Sequence, residues 1–493
     1  MFEKFFKLKE NGTTVGREVI AGLTTFFAMA YIVFVNPNQI AGGGAEGWLV
    51  GAGADASAVG QIWNSVFIAS ILGAIIGTLM YAFVAKLPFA QACGMGLNAF
   101  FCTCFVSGAY FAGVDVIDGY QAGMVIVFLS GVLFLLLSIT GLRSTIARAM
   151  PECLKKAIPA GIGLFIAFIG FQNVGLIQAN QYTLVQFFDF HGIISSVGSE
   201  VDGVTVTAFD AWCQIAPVIV TILGTLLIAI LSKKNVKGSV MIGILASAVM
   251  YYVFTLSVPS FNMSNIGQSF KDFGSIGITG LFHADSWKNA FTGANIGGIF
   301  NAIVLIMTFA LVDMSDTLGT LYGTASEAGM LDENGDPIRV EKAMLCDSVA
   351  TVSGGVLGTS TVTTFVESAS GVGAGGRTGL TSLVTGVCFI LCLFLSPLAS
   401  VIPSCATAPA LIFVGVLMLK NFGKVDMNDV ASAVPAFLTL IMMPLTYSIA
   451  NGIGIGAIAY TVITLFTGKY SKKDIIVTII AILFILKFIF VSM

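Results

Sequence analysis

Runs of about 20 apolar residues recur along the chain with short polar interruptions, each run long enough to cross a hydrocarbon core of roughly 30 Å. They read as helical spans at 18–38, 62–86, 88–106, 119–141, 156–176, 211–232 and 237–257. Beyond an outer loop at 258–293 come 294–323, 342–357, 359–373, 377–400, 404–421, 429–447 and 449–467. Fourteen spans divide into seven and seven, and an odd number per half forces the second half into the membrane upside down relative to the first. A faint echo agrees: "IPAGIGLFIAFIGF" (158–171) and "ATAPALIFVGVLML" (406–419) each form the fifth span of their half. Inverted repeats of this kind mark secondary transporters. A fifteenth apolar run, 475–493, lies either along the interface or across the bilayer, and its pattern allows both.

The third run of each half departs from the rule. "LPFAQACGMGLNAFF" (87–101) and "GTSTVTTFVESASGVGAGGR" (358–377) are broken by Gly, Ser and Thr. Each holds one strong hydrogen-bonding side chain, Asn98 in the first and Glu367 in the second. Non-helical backbone at membrane depth survives only where protein or a water-filled cavity satisfies its polar groups. Two interrupted spans at matching places therefore point to a binding site near the midplane. Half-helices starting there would aim free N–H groups at a ligand.

Composition sharpens the class. Of 493 residues, 56% are hydrophobic and 10% charged, where a soluble protein carries about 25% charged. The chain is a polytopic membrane protein of the all-α class, and nothing in it suggests nucleic-acid binding. The N-terminal 18 residues lack the apolar core and small-residue cleavage site of a signal peptide. Nine cysteines lie scattered, with no histidine at ligand spacing, so they read as small hydrophobes and not as a disulfide framework or metal site.

Basic residues cluster at Lys4/Lys7/Lys9/Arg17, Lys86, Arg143/Arg148/Lys155/Lys156, Lys233/Lys234/Lys237, Arg339/Lys342, Arg377, Lys420/Lys424 and Lys469/Lys472/Lys473. The alternate loops hold Glu46, Asp55, Asp115, Asp118, Asp189, Glu200, Asp202 and Asp210 instead. By the positive-inside rule the clusters and the N-terminus face the cytoplasm of a plasma-membrane protein.

Several acids fall within spans, and Asp313, Asp316 and Glu367 lie furthest from the span ends or on a broken span. Asp313 and Asp316 are three residues apart, so a helix puts them on one face. A buried carboxylate is costly and marks a functional or paired group; the rival reading has each bonded to Ser315, Thr317 or Thr320 as structural glue. Glu367 reads as a binding-site acid on a broken span. Asp347, near the inner end of its span, reads as structural. Asn98 is either a helix N-cap after "GMG" or a carboxamide offering a donor and an acceptor to a flat heterocycle. Lys86 and Arg377 fit snorkelling at cytoplasmic ends. Both histidines, His191 and His283, fall in outer loops, so a proton carrier has to be a carboxylate.

Several motifs are missing or accidental. "GVGAGG" (371–376) matches GxGxxG without a preceding strand of a nucleotide-binding unit. No GxxxxGK[ST] appears, which argues against an ATP-driven motor, and no nucleophile stands beside a base. A membrane-embedded enzyme or a channel is therefore a weak rival. An anion transporter of the same architecture is a stronger one, though three buried acids and no buried base disfavour it.

Longer motifs carry a family resemblance: "GREVIAGLTTFFAMAYIVFVNP" (16–37), "GMGLNAFF" (94–101), "VDMSDTLGTLYG" (312–323), "GTSTVTTFVESASGVGAGGRTGLTSLVTG" (358–386) and "PAFLTLIMMPLTYSIANGIGIG" (435–456). The chain resembles, nearly end to end, the AzgA-like branch of the nucleobase:cation symporters. The resemblance implies a transporter of adenine, guanine and hypoxanthine, driven by a proton or sodium gradient and needing no cofactor or metal. It implies two 7-span inverted repeats, with short antiparallel strands in spans 3 and 10 meeting at the substrate.

It divides the chain into a cytoplasmic N-terminus (1–17), a core domain (18–141 and 294–400) and a gate domain (142–257 and 401–467). An outer loop (258–293) and a C-terminal hydrophobic segment (468–493) complete it. The substrate-binding positions fall on Asn98, Asp313 and Glu367, and the coupling-ion positions on Asp316 and Asp313. Gly94, Gly96, Thr363, Thr364, Phe365 and Ser315 are expected to line the pocket, Ser315 standing where this branch usually has a bulky apolar residue. Expected partners are a purine nucleobase and the lipid bilayer; a homodimer stays open.

Overall fold

A computed structural model describes residues 2–43, 47–140, 150–180, 183–201, 204–236, 238–259, 265–293, 297–328, 330–331, 337–395, 401–420 and 422–490. Glu46, Arg143, Arg148, Asp202 and Lys237 lie outside the described residues, as does the side chain of Ser315.

Among the described residues, seven helices are long and apolar enough to cross a membrane: Val15–Ile40, Ala56–Ala85, Val116–Ile139, Glu152–Asn173, Ala208–Lys233, Ser404–Lys424 and Ile449–Phe466. Six shorter apolar helices accompany them: Met95–Phe111, Ser239–Thr255, Ile299–Met314, Gly379–Cys392, Val430–Leu445 and Ile475–Ile489. Another helix, Val340–Leu357, carries Glu341, Lys342 and Asp347 and is correspondingly less apolar. Side-chain caps set the starts: Asp55 accepts from the N–H groups of Ser57 and Ala58, and Thr378 from that of Leu380.

Glycines let helices approach closely. Glu152–Asn173 crosses Ser404–Leu419 where Gly163 meets Gly415; a Cβ on Gly415 would come within 2.5 Å of the Gly163 carbonyl oxygen. These two helices carry the paired sequence echo. Likewise Val340–Leu357 lies against Val116–Ile139, with Gly355 beside the Phe128 backbone and Gly131 beside that of Val352. Two packing groups result. Ala56–Met80, Val116–Ile139, Val340–Leu357, Val15–Met29 and Gly379–Cys392 contact one another in one. Glu152–Asn173, Ala208–Lys233, Ser239–Thr255, Ser404–Leu419, Val430–Leu445 and Ile449–Phe466 do so in the other.

The segments read as plain loops have structure of their own. The 177–205 region, a departure from an all-α chain, forms two antiparallel hairpins, Ile177–Asn180 with Leu184–Phe187 and Glu200–Val201 with Val204–Thr205. Asn265–Asp272 and Ala284–Thr292 are short helices resting on Ala56–Met80 and Val116–Ile139. Asp272 is anchored there by Asn64 Nδ2 at 2.8 Å. The C-terminal run folds as a helix, Ile475–Phe490, along Ile449–Phe466: Phe484 fills the space beside Gly454, and the buried Lys487 donates to Asn451 Oδ1 at 3.1 Å.

Candidate functional site

Two short strands interrupt the helical bundle. Gln91–Cys93 and Val362–Thr364 run antiparallel, pairing Gln91 with Thr364, Ala92 with Thr363 and Cys93 with Val362. The ladder continues through Gly94 N–H to the Thr361 carbonyl and Phe365 N–H to the Ala90 carbonyl, both at 3.0 Å. Threonine and valine suit the extended backbone, and each strand satisfies the other's polar groups where lipid could not. Helices leave both strands at once, Met95–Phe101 after Gly94 and Ser368–Gly373 after Glu367.

Alternation sends successive threonines to opposite sides. Thr364 meets Tyr81 at 2.7 Å and lies 3.4 Å from Gln91 Nε2, whose first partner is the Asp347 carboxylate at 2.8 Å. Asp347 is thus tied into the scaffold. Thr363 meets Thr317 at 2.6 Å on the other side. There a Cβ on Gly94 would press Thr363 Cγ2 at 2.9 Å and come within 3.9 Å of Asp316 Oδ2. The glycine keeps open the space between the first strand and Asp316.

The acids occupy distinct surroundings. Glu367 is half-buried, and the Tyr31 hydroxyl donates to its Oε1 at 2.6 Å. Asp316 is half-buried too and lies within electrostatic reach of Glu367. Asp313, one turn away, is fully buried and accepts from the Thr351 hydroxyl at 2.5 Å. The crossing therefore gathers Gly94, Thr363 and Asp316 in one place, and Glu367 follows the second strand by three residues.

The other expected site residues have contacts of their own. Asn98 is the fourth residue of its helix, whose N-cap is Gly94. Its amide donates to Asn36 and lies 3.4 Å from Gln39 Oε1, while Ser360 donates to its carbonyl oxygen. Asn36 in turn reaches Ser70 and Thr359. Asn98 is thus the hub of a buried polar network joining four segments. Gly96 packs against Ile162, where a Cβ would collide with Cγ2 at 2.2 Å. Phe365 is buried beside the strand and Thr364 points into the scaffold.

Sequence reasoning passed over two residues. Glu18 is buried and accepts from the N–H groups of Arg377, Thr378 and Thr381 and from the hydroxyls of Thr378 and Thr381, at 2.7 to 3.3 Å. It closes the N-terminus of Gly379–Cys392, where donors outnumber acceptors and the helix dipole favours an anion. Arg377, read as a snorkelling cation, donates to the carbonyls of Val372 and Gly376. Tyr31 is the other, placed where the first helix breaks between Met29 and Ile32. An acid inside the opening of an apolar run was the available signal for Glu18; for Tyr31 there was none.

A membrane bundle whose two halves meet through paired strands, with half-buried carboxylates at the crossing, has the makings of a solute carrier. The chain belongs to a permease family, whose model matches residues 16–206 and 190–455. It is 40% identical over 491 residues to the guanine/hypoxanthine permease PbuG of Bacillus subtilis (strain 168), covering 99% of both chains. It is 38% identical over 495 residues to the adenine permease AdeP of Escherichia coli (strain K12), covering 100% of this chain and 97% of that one. Among solved structures, the transmembrane domain of a cyanobacterial bicarbonate transporter, BicA, shares the fold at a TM-score of 0.57 and 14% identity, covering 88% of this chain and 97% of that one. The protein is a membrane transporter and not an enzyme.

Proposed function

We propose that this chain is a secondary active transporter that imports purine nucleobases (adenine, guanine and hypoxanthine) across the plasma membrane by symport with protons or sodium ions. The observation that carries the reading is the pair of half-buried carboxylates, Glu367 and Asp316, beside the space Gly94 leaves at the strand crossing. A purine is a flat ring with N–H donors on its edge, and a carboxylate in a dry site accepts them through charge-assisted bonds. The names of the similar permeases support the same substrate class. Asp316, with Asp313 behind it, is the coupling-ion candidate.

In this reading the fold is two 7-span inverted repeats with a cytoplasmic N-terminus. The packing group with both strands is the moving core and the other is the gate. The Gly163–Gly415 crossing of equivalent helices supports the repeat. An anion carrier is the rival, since a protein of this fold transports bicarbonate. The acids at the crossing oppose it.

Uptake of radiolabelled hypoxanthine, adenine, guanine, xanthine and uracil is the test, in cells lacking their own permeases, with a protonophore and with sodium replaced. Accumulation of the three purines, abolished by removing one gradient, is expected. Failure of all three to enter would overturn the reading.

A further inference from the structure

The break between Val15–Met29 and Ile32–Ile40 leaves Tyr31 fully buried at the strand crossing. Its hydroxyl donates to Glu367 Oε1 at 2.6 Å. Among the described residues no other side chain hydrogen-bonds the Glu367 carboxylate. The two residues stand 336 positions apart, so the contact is made by the fold alone.

A carboxylate has two oxygens, and a ligand with two adjacent donors engages both at once. Guanine has such an edge, its ring N–H next to the exocyclic amino group. On that edge hypoxanthine lacks the amino group and offers the ring N–H alone. In xanthine a carbonyl replaces the amino group, leaving one donor on the same edge. The tyrosine hydroxyl takes one lone pair of Oε1 and crowds that side, so Oε2 is the less encumbered oxygen for an incoming N–H. We propose that Tyr31 is a positioning residue that restricts Glu367 to one-oxygen recognition and so prevents a preference for guanine over hypoxanthine. The inference rests on the purine reading above and deepens it to the choice between purines.

Competition by guanine, hypoxanthine and xanthine against labelled hypoxanthine, in wild type and Tyr31→Phe, tests it. Phenylalanine keeps the buried ring and removes only the donor. The variant is expected to improve guanine relative to hypoxanthine by about tenfold, the worth of one additional charge-assisted bond. Xanthine should keep its rank against hypoxanthine. An unchanged guanine-to-hypoxanthine ratio in the variant overturns the inference, whatever happens to absolute affinity. If Tyr31→Phe is not recovered folded, the wild-type ratio decides: a guanine advantage below about tenfold supports one-oxygen recognition and a larger one overturns it. A wild type that binds no purine fails the purine reading itself, a result distinct from binding with an unmoved ratio.

Discussion

Thr351 donates its hydroxyl to Asp313 Oδ2 at 2.5 Å, and the same hydroxyl lies 3.2 Å from the carbonyl oxygen of Val362. One side chain on Val340–Leu357 thus ties the acid of Ile299–Ala328 to the second strand of the crossing. The two aspartates are unequal as a result. Asp313 is fully buried and tethered, while Asp316 is half-buried beside the space at Gly94.

Asp316→Asn is accordingly expected to abolish accumulation against a gradient while leaving substrate exchange measurable. Counterflow and net uptake in proteoliposomes separate the two. Should both Asp316→Asn and Asp313→Asn accumulate purine fully, neither aspartate carries the coupling ion.

Thr351→Val keeps the shape of the side chain and removes the tether. A hydrogen bond to a charged group is worth about 1.5–3 kcal/mol, so the thermal midpoint of the purified variant should fall measurably. An unshifted midpoint means Asp313 is held by something else.

Glu367→Gln is expected to weaken purine binding by about tenfold or more, since an amide replaces the charged acceptor. Equilibrium binding of hypoxanthine to the purified variant measures it. Unchanged affinity would return Glu367 to a structural role.

Glu18 has a different expectation, because its five donors belong to the start of one helix. Glu18→Ala strands buried N–H groups at about 1–3 kcal/mol each. Folded yield and thermal midpoint should drop, while the protein that does fold keeps its hypoxanthine affinity. A loss of affinity at normal stability would move Glu18 into the transport machinery.

Much of this was legible from local pattern. The apolar helices follow from apolar run length, and the two segments that carry the paired strands announce themselves through Gly, Ser and Thr. Glu367 and Asp316 stand out because an acid in such surroundings has few explanations. Hidden were the partners that arrive from far along the chain. Asn98 had two local readings, a cap or a ligand contact; the cap position falls to Gly94, and the carboxamide meets Asn36 and Ser360, 62 and 262 residues away. Arg377 reads from the sequence as an ordinary cytoplasmic cation, and the fold turns it onto the carbonyls of Val372 and Gly376. The long loops concealed helices and hairpins because their amphipathic pattern is short and their support comes from the bundle beneath.

The strand pairing also sets a timetable for biogenesis. Gln91 and Thr364 are 273 residues apart, and a ribosome adds about 5–20 residues each second. The second strand is therefore delivered roughly 14–55 s after the first. Until then the first strand's N–H and C=O groups have no ladder partner, and each left bare in lipid costs several kcal/mol. The nascent chain has to be sheltered by the insertion machinery through that interval. A polypeptide cut off before the second strand keeps that edge unpaired permanently.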